Sequence, residues 1–375
     1  MSRLRLGLIF GGRSLEHEIS ILSARSILGS LNRDRYEILL IAIDHEGRWQ
    51  VLSENEIPDN APFSGQSVVL PAHRGQAQSG SLVPLRSSAP DSIPEGNPAE
   101  ELGLDVLFPI VHGAGGEDGA LQGLLELSEI AYVGSGVLSS AVQMDKDIAK
   151  KLLSLAGLPV LPWLSFRRHE LLGAGLESVC TQIETDLEYP LFIKPANSGS
   201  SVGINRALDR KTLVEALREA MEFDDKLIVE QGIEAREIEI AVMGNDDPQA
   251  SIPGEIVPTH DFYDYEAKYL DDSTQLLVPA PVEDEEVRTL QAMSIRAFRA
   301  VEAEGMARVD FLKDRNTGEV YINELNSLPG FTSGSMYPRL WEATGLGYGD
   351  LLDRLVDLAL ERRDRKARLK RNYGE

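Results

Sequence analysis

Two short segments carry the carboxylates best placed to do chemistry, Arg308-Val-Asp310-Phe-Leu312 and Val320-Tyr-Ile-Asn323-Glu324-Leu-Asn326. Between them, Lys313 to Glu319 contains Asn316-Thr-Gly318, a turn signal, so the segments are expected to form a β-hairpin. Centred near Thr317, the hairpin sets Asp310 opposite Glu324 and Arg308 opposite Asn326. Strand alternation then puts all four side chains on one face. Directly opposed carboxylates repel unless a cation lies between them. An Asp, a Glu and an Asn amide oxygen are hard ligands suited to Mg²⁺, which keeps waters and borrows phosphate oxygens. The competing reading is a structural ion network in which Arg308 neutralises the pair.

Phosphate could be held at a second place. The apolar run Leu191 to Lys194 enters Pro195-Ala-Asn-Ser-Gly-Ser-Ser-Val-Gly203. A cation ending an apolar strand needs an anionic partner. Gly199, Ser200 and Ser201 let the backbone approach a ligand closely and offer N–H donors. No lysine follows a glycine, which excludes a G-x-x-x-x-G-K loop; a flexible hairpin is the plain alternative. The same stretch matches G-x-S-x-G around Ser201, the nucleophile elbow of α/β hydrolases. It continues with β character where that elbow needs a helix, so a serine hydrolase is a minor reading. A metal face and a phosphate loop in one chain point to a nucleotide enzyme.

Other groups are more equivocal. Glu16, His17 and Glu18 crowd the first turn of a helix that follows Gly11-Gly12, where the dipole alone would favour two acids. The dinucleotide fingerprint G-x-G-x-x-G is not supplied there. The loop Pro329-Gly330 to Ser335-Met-Tyr-Pro338 leaves the metal face directly. Phe262 to Tyr269, with Lys268, is an aromatic and charged loop that could close as a lid or be an ordinary surface loop. The single cysteine, Cys180, reads as a buried small hydrophobe and excludes an intramolecular disulfide or multi-cysteine zinc site. The basic stretch from Arg362 to Arg371 is expected to complement a helix C-terminus rather than bind nucleic acid.

The elements that must position these groups are those of an α/β chain of two or three domains. Leu4 to Phe10, a helix-spaced stretch from Ile19 to Leu31, and Tyr36 to Ile43 form an opening βαβ. Residues 58–98 dissolve into Ser, Gly, Pro and Gln and read as a surface excursion of the first domain. Leu104 to Val111 is a buried strand entering His112-Gly-Ala-Gly-Gly-Glu-Asp-Gly119, and Lys146 to Leu155 is helical. The 375 residues hold 37 Lys and Arg against 60 Asp and Glu, a net charge of −23. That field repels nucleic acid and anionic membranes. No apolar run approaches a membrane span or a signal peptide, so a soluble cytoplasmic protein is expected.

Taken in order, these segments resemble the D-alanine–D-alanine ligases of the ATP-grasp superfamily. The resemblance runs through Gly11-Gly-Arg-Ser-Leu-Glu-His-Glu-Ile-Ser20, His112 to Gly119, Met144-Asp-Lys146, Lys194 to Gly203 and Glu230 with Arg236-Glu237. It continues through Pro253-Gly-Glu-Ile256, Phe262 to Tyr269, Arg308 to Asp310 and Asn323-Glu-Leu-Asn-Ser-Leu-Pro-Gly330. It covers nearly the whole chain except 58–98. The fold it implies is α/β, α+β in part: an ATP-grasp fold preceded by a Rossmann-like N-terminal α/β domain. The implied division is residues 1–141, 142–231 as the central subdomain, and 232–375 with the lid and metal site.

The implied reaction is ATP-dependent joining of two D-alanines for peptidoglycan precursors. Glu16 would hold the first ammonium, with Ser200 and Tyr269 bonded to Glu16 and closing the lid, and His112 would line the first-substrate site. Lys146, Lys194, Ser200, Ser201, Glu230, Glu237, Lys268, Asn323 and Glu324 would contact ATP. Asp310, Glu324 and Asn326 would bind Mg²⁺ or Mn²⁺, two per subunit. Arg308 and the Gly330 N–H would stabilise the oxyanion, with Ser335 and Met336 at the second carboxylate. The resemblance also implies a homodimer with small-molecule partners only, neither nucleic acid nor membrane. Tyr269 looks like the D-alanine type of lid; a D-lactate or D-serine ligase is the alternative.

Overall fold

The computed structural model describes residues 3–52, 57–59, 61–71, 80–84, 102–173, 175–257 and 274–370. Lys268 and Tyr269, with the rest of the expected lid loop, lie outside the described residues, as does much of 58–98. The chain begins with an eight-stranded sheet: β1 (Leu4–Gly11), β2 (Tyr36–Ile43), β3 (Trp49–Leu52), β4 (Gly65–Val69), β5 (Gly80–Pro84), β6 (Leu102–Leu104), β7 (Val106–Pro109) and β8 (Ala131–Tyr132), in the order β6-β5-β4-β3-β2-β1-β7-β8. β2, β1, β7 and β8 are parallel. Their unbroken apolar runs follow from burial on both faces, as for Leu6, Leu8, Ile9 and Phe10 of β1. Helix α1 (His17–Ser30) makes the expected crossover from β1 to β2.

The region read as an excursion does more than loop outward. β4 and β5 extend the sheet antiparallel, and their Val68 and Leu82 fill its core. Only one of the five β4 residues is buried, too thin an apolar signal to show as a strand period. Helices α2 (Ala120–Leu127), α3 (Val137–Met144) and α4 (Lys146–Leu155) follow. Asp145 caps α4 by accepting the Ile148 N–H at 3.1 Å.

A second sheet is antiparallel, built from β9 (Trp163–Arg167), β10 (Leu191–Pro195), β11 (Asn205–Ala207) and β12 (Lys226–Gln231) in the order β11-β10-β12-β9. Helices α5 (Gly175–Asp186) and α6 (Arg210–Ala220) cover one face and close a core with Cys180, Ile183, Leu191, Leu213 and Leu217.

The third sheet comprises β13 (Ala235–Gly244), β14 (Gln249–Ala250), β15 (Gly254–Val257), β16 (Gln275–Leu277), β17 (Gly305–Asp314) and β18 (Val320–Asn326), ordered β16-β15-β13-β17-β18 with β14 on β13. Ile238, Ile240 and Val309 face α4 and α7 (Asp284–Ala300), meeting Leu153, Leu290 and Phe298. On the other side, α8 (Met336–Thr344) and α9 (Tyr348–Ala367) return the chain to the first sheet, so Phe10 and Phe108 share one core with Tyr337 and Leu352. The basic end of α9 is used in long-range pairing more than in dipole complementation. Arg362 is buried and donates to the carbonyls of Tyr132 (2.8 Å) and Gly134, while Arg365 pairs with Asp246 (2.6 Å) and Lys366 with Glu126 (2.5 Å). Among the described residues no helix is long and apolar enough to cross a membrane.

Candidate active site

β17 and β18 pair with Arg308 opposite Asn326 and Asp310 opposite Glu324, the arrangement expected of the hairpin. Toward the turn the register steps: Phe311 faces Ile322 and Lys313 faces Val320, leaving Asn323 as an extra residue in β18. Strict alternation would turn Asn323 away from Glu324. The bulge lets both reach one cleft. Lys194 Nζ donates to Asn323 Oδ1 at 3.4 Å and Lys146 Nζ lies 3.3 Å from Glu324 Oε2, while flanking Ile322 and Leu325 are buried in the core.

Arg308 forks onto Asp310, Nε to Oδ1 and Nη2 to Oδ2 at 2.7 Å each, and Asn326 Nδ2 donates to Asp310 Oδ2 at 2.8 Å. The contact of the competing ion-network reading is therefore real. Glu239 of β13, buried and directly opposite Asp310, places Oε2 3.0 Å from Arg308 Nε. Burial disfavours the Arg308 charge, but Asp310 and Glu239 more than offset this and raise its pKa well above the ordinary value. Among the described residues no three His, Cys, Asp or Glu side chains form a metal-holding cluster. Two carboxylates and an amide, completed by water and phosphate oxygens, is nonetheless an arrangement Mg²⁺ accepts. Arg308 and Lys146 hold these two carboxylates here, so a divalent ion bound at this face would share Asp310 and Glu324 with them.

Opposite this face lies a well of lysines. Lys146 donates to the Ser198 carbonyl at 2.7 Å. Buried Glu230 on β12 takes Lys150 on Oε1 at 2.6 Å and Lys194 on Oε2. Burial would raise the Glu230 pKa, yet the two lysines outweigh it and hold the carboxyl at about 2. Burial pulls Lys150 below its ordinary value, whereas for Lys194 the pull of Glu230 exceeds the burial cost and raises it. Lys150 was not singled out from the sequence. Its signal is the i, i+4 spacing from Lys146, which puts both ammonium groups on one face of α4. Lys226 braces that helix start by bridging Asp145 at 2.8 Å and Asp147 at 2.7 Å.

The Gly-Ser loop closes the third side. Ser200 and Ser201 have φ of 47° and 59°, two consecutive non-glycine residues in left-handed backbone, a strained turn of the kind concentrated at functional sites. Ser200 Oγ donates to Glu16 Oε1, joining this loop to the start of α1. Glu16 is buried, and space for it depends on glycine: a Cβ at Gly113 would sit 2.6 Å from Glu16 Oε2. After Gly203 the chain enters β11 and no helix begins there, so the elbow geometry needed by a Ser201 hydrolase is missing. Ser201 instead lines the same cleft as Glu117, Lys146, Ser200, Glu324 and Asn326.

His112, also buried, contacts the Leu328 carbonyl through Nδ1 at 3.1 Å and Ser23 Oγ through Nε2 at 3.2 Å. Burial lowers its pKa, but Glu117, Glu16 and the Leu328 carbonyl reverse this and raise it. The loop carrying Gly330 is held from several sides. Phe331 N–H reaches Ser23 Oγ at 3.4 Å, Tyr348 donates to the Phe331 carbonyl at 2.6 Å, and Thr332 N–H donates to Ser335 Oγ at 3.0 Å. Met336 opens α8 with its side chain in the core, where its sulfur would stand 2.8 Å from a Cβ at Gly254. Any contact from Met336 to a ligand therefore falls to its backbone N–H. Glu237 neighbours Lys194 closely enough to help raise its pKa.

Two antiparallel sheets closing on one cleft, one bringing lysines and the other carboxylates, is the ATP-grasp arrangement, here preceded by an α/β domain of Rossmann type. The class so defined is an ATP-dependent ligase. Comparison with known proteins narrows it. Residues 5–135 match the family model described as D-ala D-ala ligase N-terminus, and residues 152–357 match D-ala D-ala ligase C-terminus. The D-alanine–D-alanine ligase of Heliobacterium modesticaldum is 50% identical, with 98% of each chain covered. The D-alanine–D-alanine ligase structure from Coxiella burnetii superposes with a TM-score of 0.81 at 35% identity, covering 98% of this chain and 97% of that one. The VanG D-Ala:D-Ser ligase of Enterococcus faecalis superposes with a TM-score of 0.83 at 34% identity, covering 96% and 100%. The chain belongs to the D-alanine–D-alanine ligase family.

Proposed function

We propose that the protein joins two D-alanines at the expense of ATP, through a D-alanyl phosphate, to supply peptidoglycan precursors in the cytoplasm. The observation that carries this is the meeting of Glu16 and Ser200 in the cleft that also holds the Asp310–Glu324 face. An ammonium group placed at Glu16 brings its own carboxylate toward the lysine well. That carboxylate attacks the γ-phosphorus and ADP leaves; the second amine then attacks the acyl carbonyl and phosphate leaves.

Lys146 and Lys194 screen the approach of one anion to another, with Glu230 and Glu237 on the nucleotide side together with Ser201 and Asn323. Asp310, Glu324 and Asn326 would hold Mg²⁺ or Mn²⁺, two per subunit, which would supply further electrostatic screening. Arg308 and the Gly330 N–H face the developing oxyanion, His112 borders the first substrate, and Ser335 with the Met336 N–H receives the second carboxylate. Lys268 and Tyr269 are assigned to the phosphates and the lid through their sequence context. We also assign the domains as 1–141, 142–231 and 232–375, consistent with the sheet membership of their strands, and a homodimeric assembly.

Overall shape does not select the second substrate, since a D-Ala:D-Ser ligase superposes as well as a D-Ala–D-Ala ligase. Tyr269 favours D-alanine. The test is phosphate release from Mg²⁺-ATP with D-alanine, L-alanine, and D-alanine mixed with D-serine or D-lactate, with products identified by mass. D-Ala-D-Ala from D-alanine, and mixtures still giving mainly that product, is expected; a predominantly mixed product would reassign the second site. Glu324→Gln should lower turnover by about 10³-fold while the folded circular dichroism spectrum persists. Near-normal activity would remove Glu324 from the metal face.

A further inference from the structure

We infer that Ser23 is a positioning residue whose hydroxyl donates to His112 and accepts from Phe331, so that serine and imidazole together hold the loop carrying Gly330 from both sides. The inference rests on the proposed function for the role given to Gly330 and deepens it by naming what fixes that loop. Ser23 lies on α1 and is fully buried. Its Oγ stands 3.2 Å from His112 Nε2 and accepts the Phe331 N–H at 3.4 Å. His112 Nδ1 lies 3.1 Å from the Leu328 carbonyl. The two grips flank Gly330, the Leu328 carbonyl before it and the Phe331 N–H after it. Ser20, one turn earlier, anchors the same stretch of α1 by accepting the Gly11 N–H at 2.7 Å and donating to the Ile110 carbonyl.

The proton positions follow from what each group can do. A carbonyl oxygen only accepts, so His112 Nδ1 carries a proton. A backbone N–H only donates, so Phe331 takes a lone pair of Ser23 Oγ. Among the described residues, His112 Nε2 is then the one acceptor for the Ser23 hydroxyl hydrogen, and it accepts only in the neutral ring. Burial favours that neutral ring, whereas Glu117, with Oε1 3.9 Å from Nδ1, and Glu16 favour the protonated one. Protonation would turn Nε2 into a donor and strand a buried hydroxyl hydrogen. Both ring nitrogens are thus engaged by the protein, so His112 serves the reaction through the loop and borders the first substrate with its ring carbons.

The test reads the ring directly, by long-range proton–nitrogen NMR correlations of the full-length protein isotope-labelled at its histidine ring nitrogens. His112 is assigned by the pattern missing from His112→Gln. At mildly alkaline pH, wild type should show His112 protonated on Nδ1 alone, with Nε2 at the shift of a hydrogen-bonded acceptor. Ser23→Ala should move the Nε2 resonance downfield, as for a bare acceptor. It should also lower kcat about tenfold with the KM for ATP changed less than about twofold. Ser23→Cys, which keeps a weak donor, should fall between the two. A wild-type ring protonated on Nε2, or on both nitrogens at that pH, overturns the inference. So does Ser23→Ala with an unchanged Nε2 resonance or an unchanged kcat. Should Ser23→Ala not fold, Ser23→Cys decides: Nε2 shift and kcat equal to wild type overturn the inference. A wild-type protein that forms no D-Ala-D-Ala would instead strike at the proposed function, while the ring spectrum still reports on Ser23.

Discussion

Glu230 is a buried carboxylate whose ionisation is compensated by two lysines. It is buried between Lys150 and Lys194, which hold its carboxyl at about 2 against an ordinary value of 4.5. A depressed folded pKa contributes stability that is fully present above about 4.5 and is lost as the pH falls toward 2, roughly 3 kcal/mol in all. Glu230→Gln leaves two buried ammonium groups without their anion and should destabilise by about 3–5 kcal/mol near neutrality. Urea unfolding of wild type and variant should therefore show a gap that stays open from pH 7 to 5 and narrows only below about 4.5. A gap already narrowing between pH 7 and 5 would mean that the carboxyl titrates without help from the lysines. Residues were legible from the sequence where a local pattern isolates them. Asp310 and Glu324 stand out because a turn signal fixes their register, and Lys194 because it ends an apolar strand. Lys150 and Glu239 passed unremarked, since each is one charge among many on its own element and becomes distinctive only through a partner 80 and 69 residues away, respectively.

The element to which the second half of the proposed reaction is assigned is the loop from Ser327 to Ser335, joining β18 to α8. It has few bonds of its own and is fixed by its neighbours: α1 through Ser23, the loop after β7 through His112, and α9 through Tyr348. Burial pushes the Tyr348 phenol up to about 12, so it remains a neutral donor at working pH. Tyr348→Phe removes the bond to the Phe331 carbonyl, one residue from Gly330, and should cost about 1 kcal/mol of stability. The larger effect should be on kcat, lowered about 10- to 100-fold by a displaced N–H, with the KM for ATP changed less than about twofold. A raised KM for ATP at unchanged kcat would place the defect at the nucleotide side instead. Two features of element structure were out of reach of the sequence pattern. The bulge at Asn323 follows from how β17 and β18 pack, since hairpin arithmetic cannot locate an extra residue. β4 buries too few side chains to declare a period, and pairing makes these strands, β4 with β3 and β5 with β4.

At the scale of the whole molecule, the cores predict which parts open together. Phe10, Phe108, Met306, Tyr337 and Leu352 share one cluster, so the first sheet, the third sheet and the two C-terminal helices are tied by buried apolar contact. Arg362 reinforces the tie by donating from α9 to the backbone after β8. The second sheet differs: among the described residues, its cluster, from Phe166 to Val229, draws only on its own strands and helices. Polar contacts link it to the rest, among them Ser200 with Glu16 and Lys226 with Asp145 and Asp147. Such a unit should open as a cooperative segment at a lower free energy than the remainder. Leu191→Ala and Leu352→Ala each remove a fully buried side chain and should each cost about 2–5 kcal/mol. Hydrogen exchange followed by mass spectrometry should distinguish them. Leu191→Ala should speed exchange across residues 163–231 and spare β1, β7 and β17. Leu352→Ala should speed exchange in β1, β7 and β17 together, although those strands belong to two sheets. Uniform acceleration by both substitutions would show one cooperative unit. The ligand should act on the same boundary: if ATP lies between lysines of the second sheet and carboxylates of the third, a nucleotide analogue with Mg²⁺ should slow exchange most in residues 163–231, where the uncoupled unit has the most protection to gain.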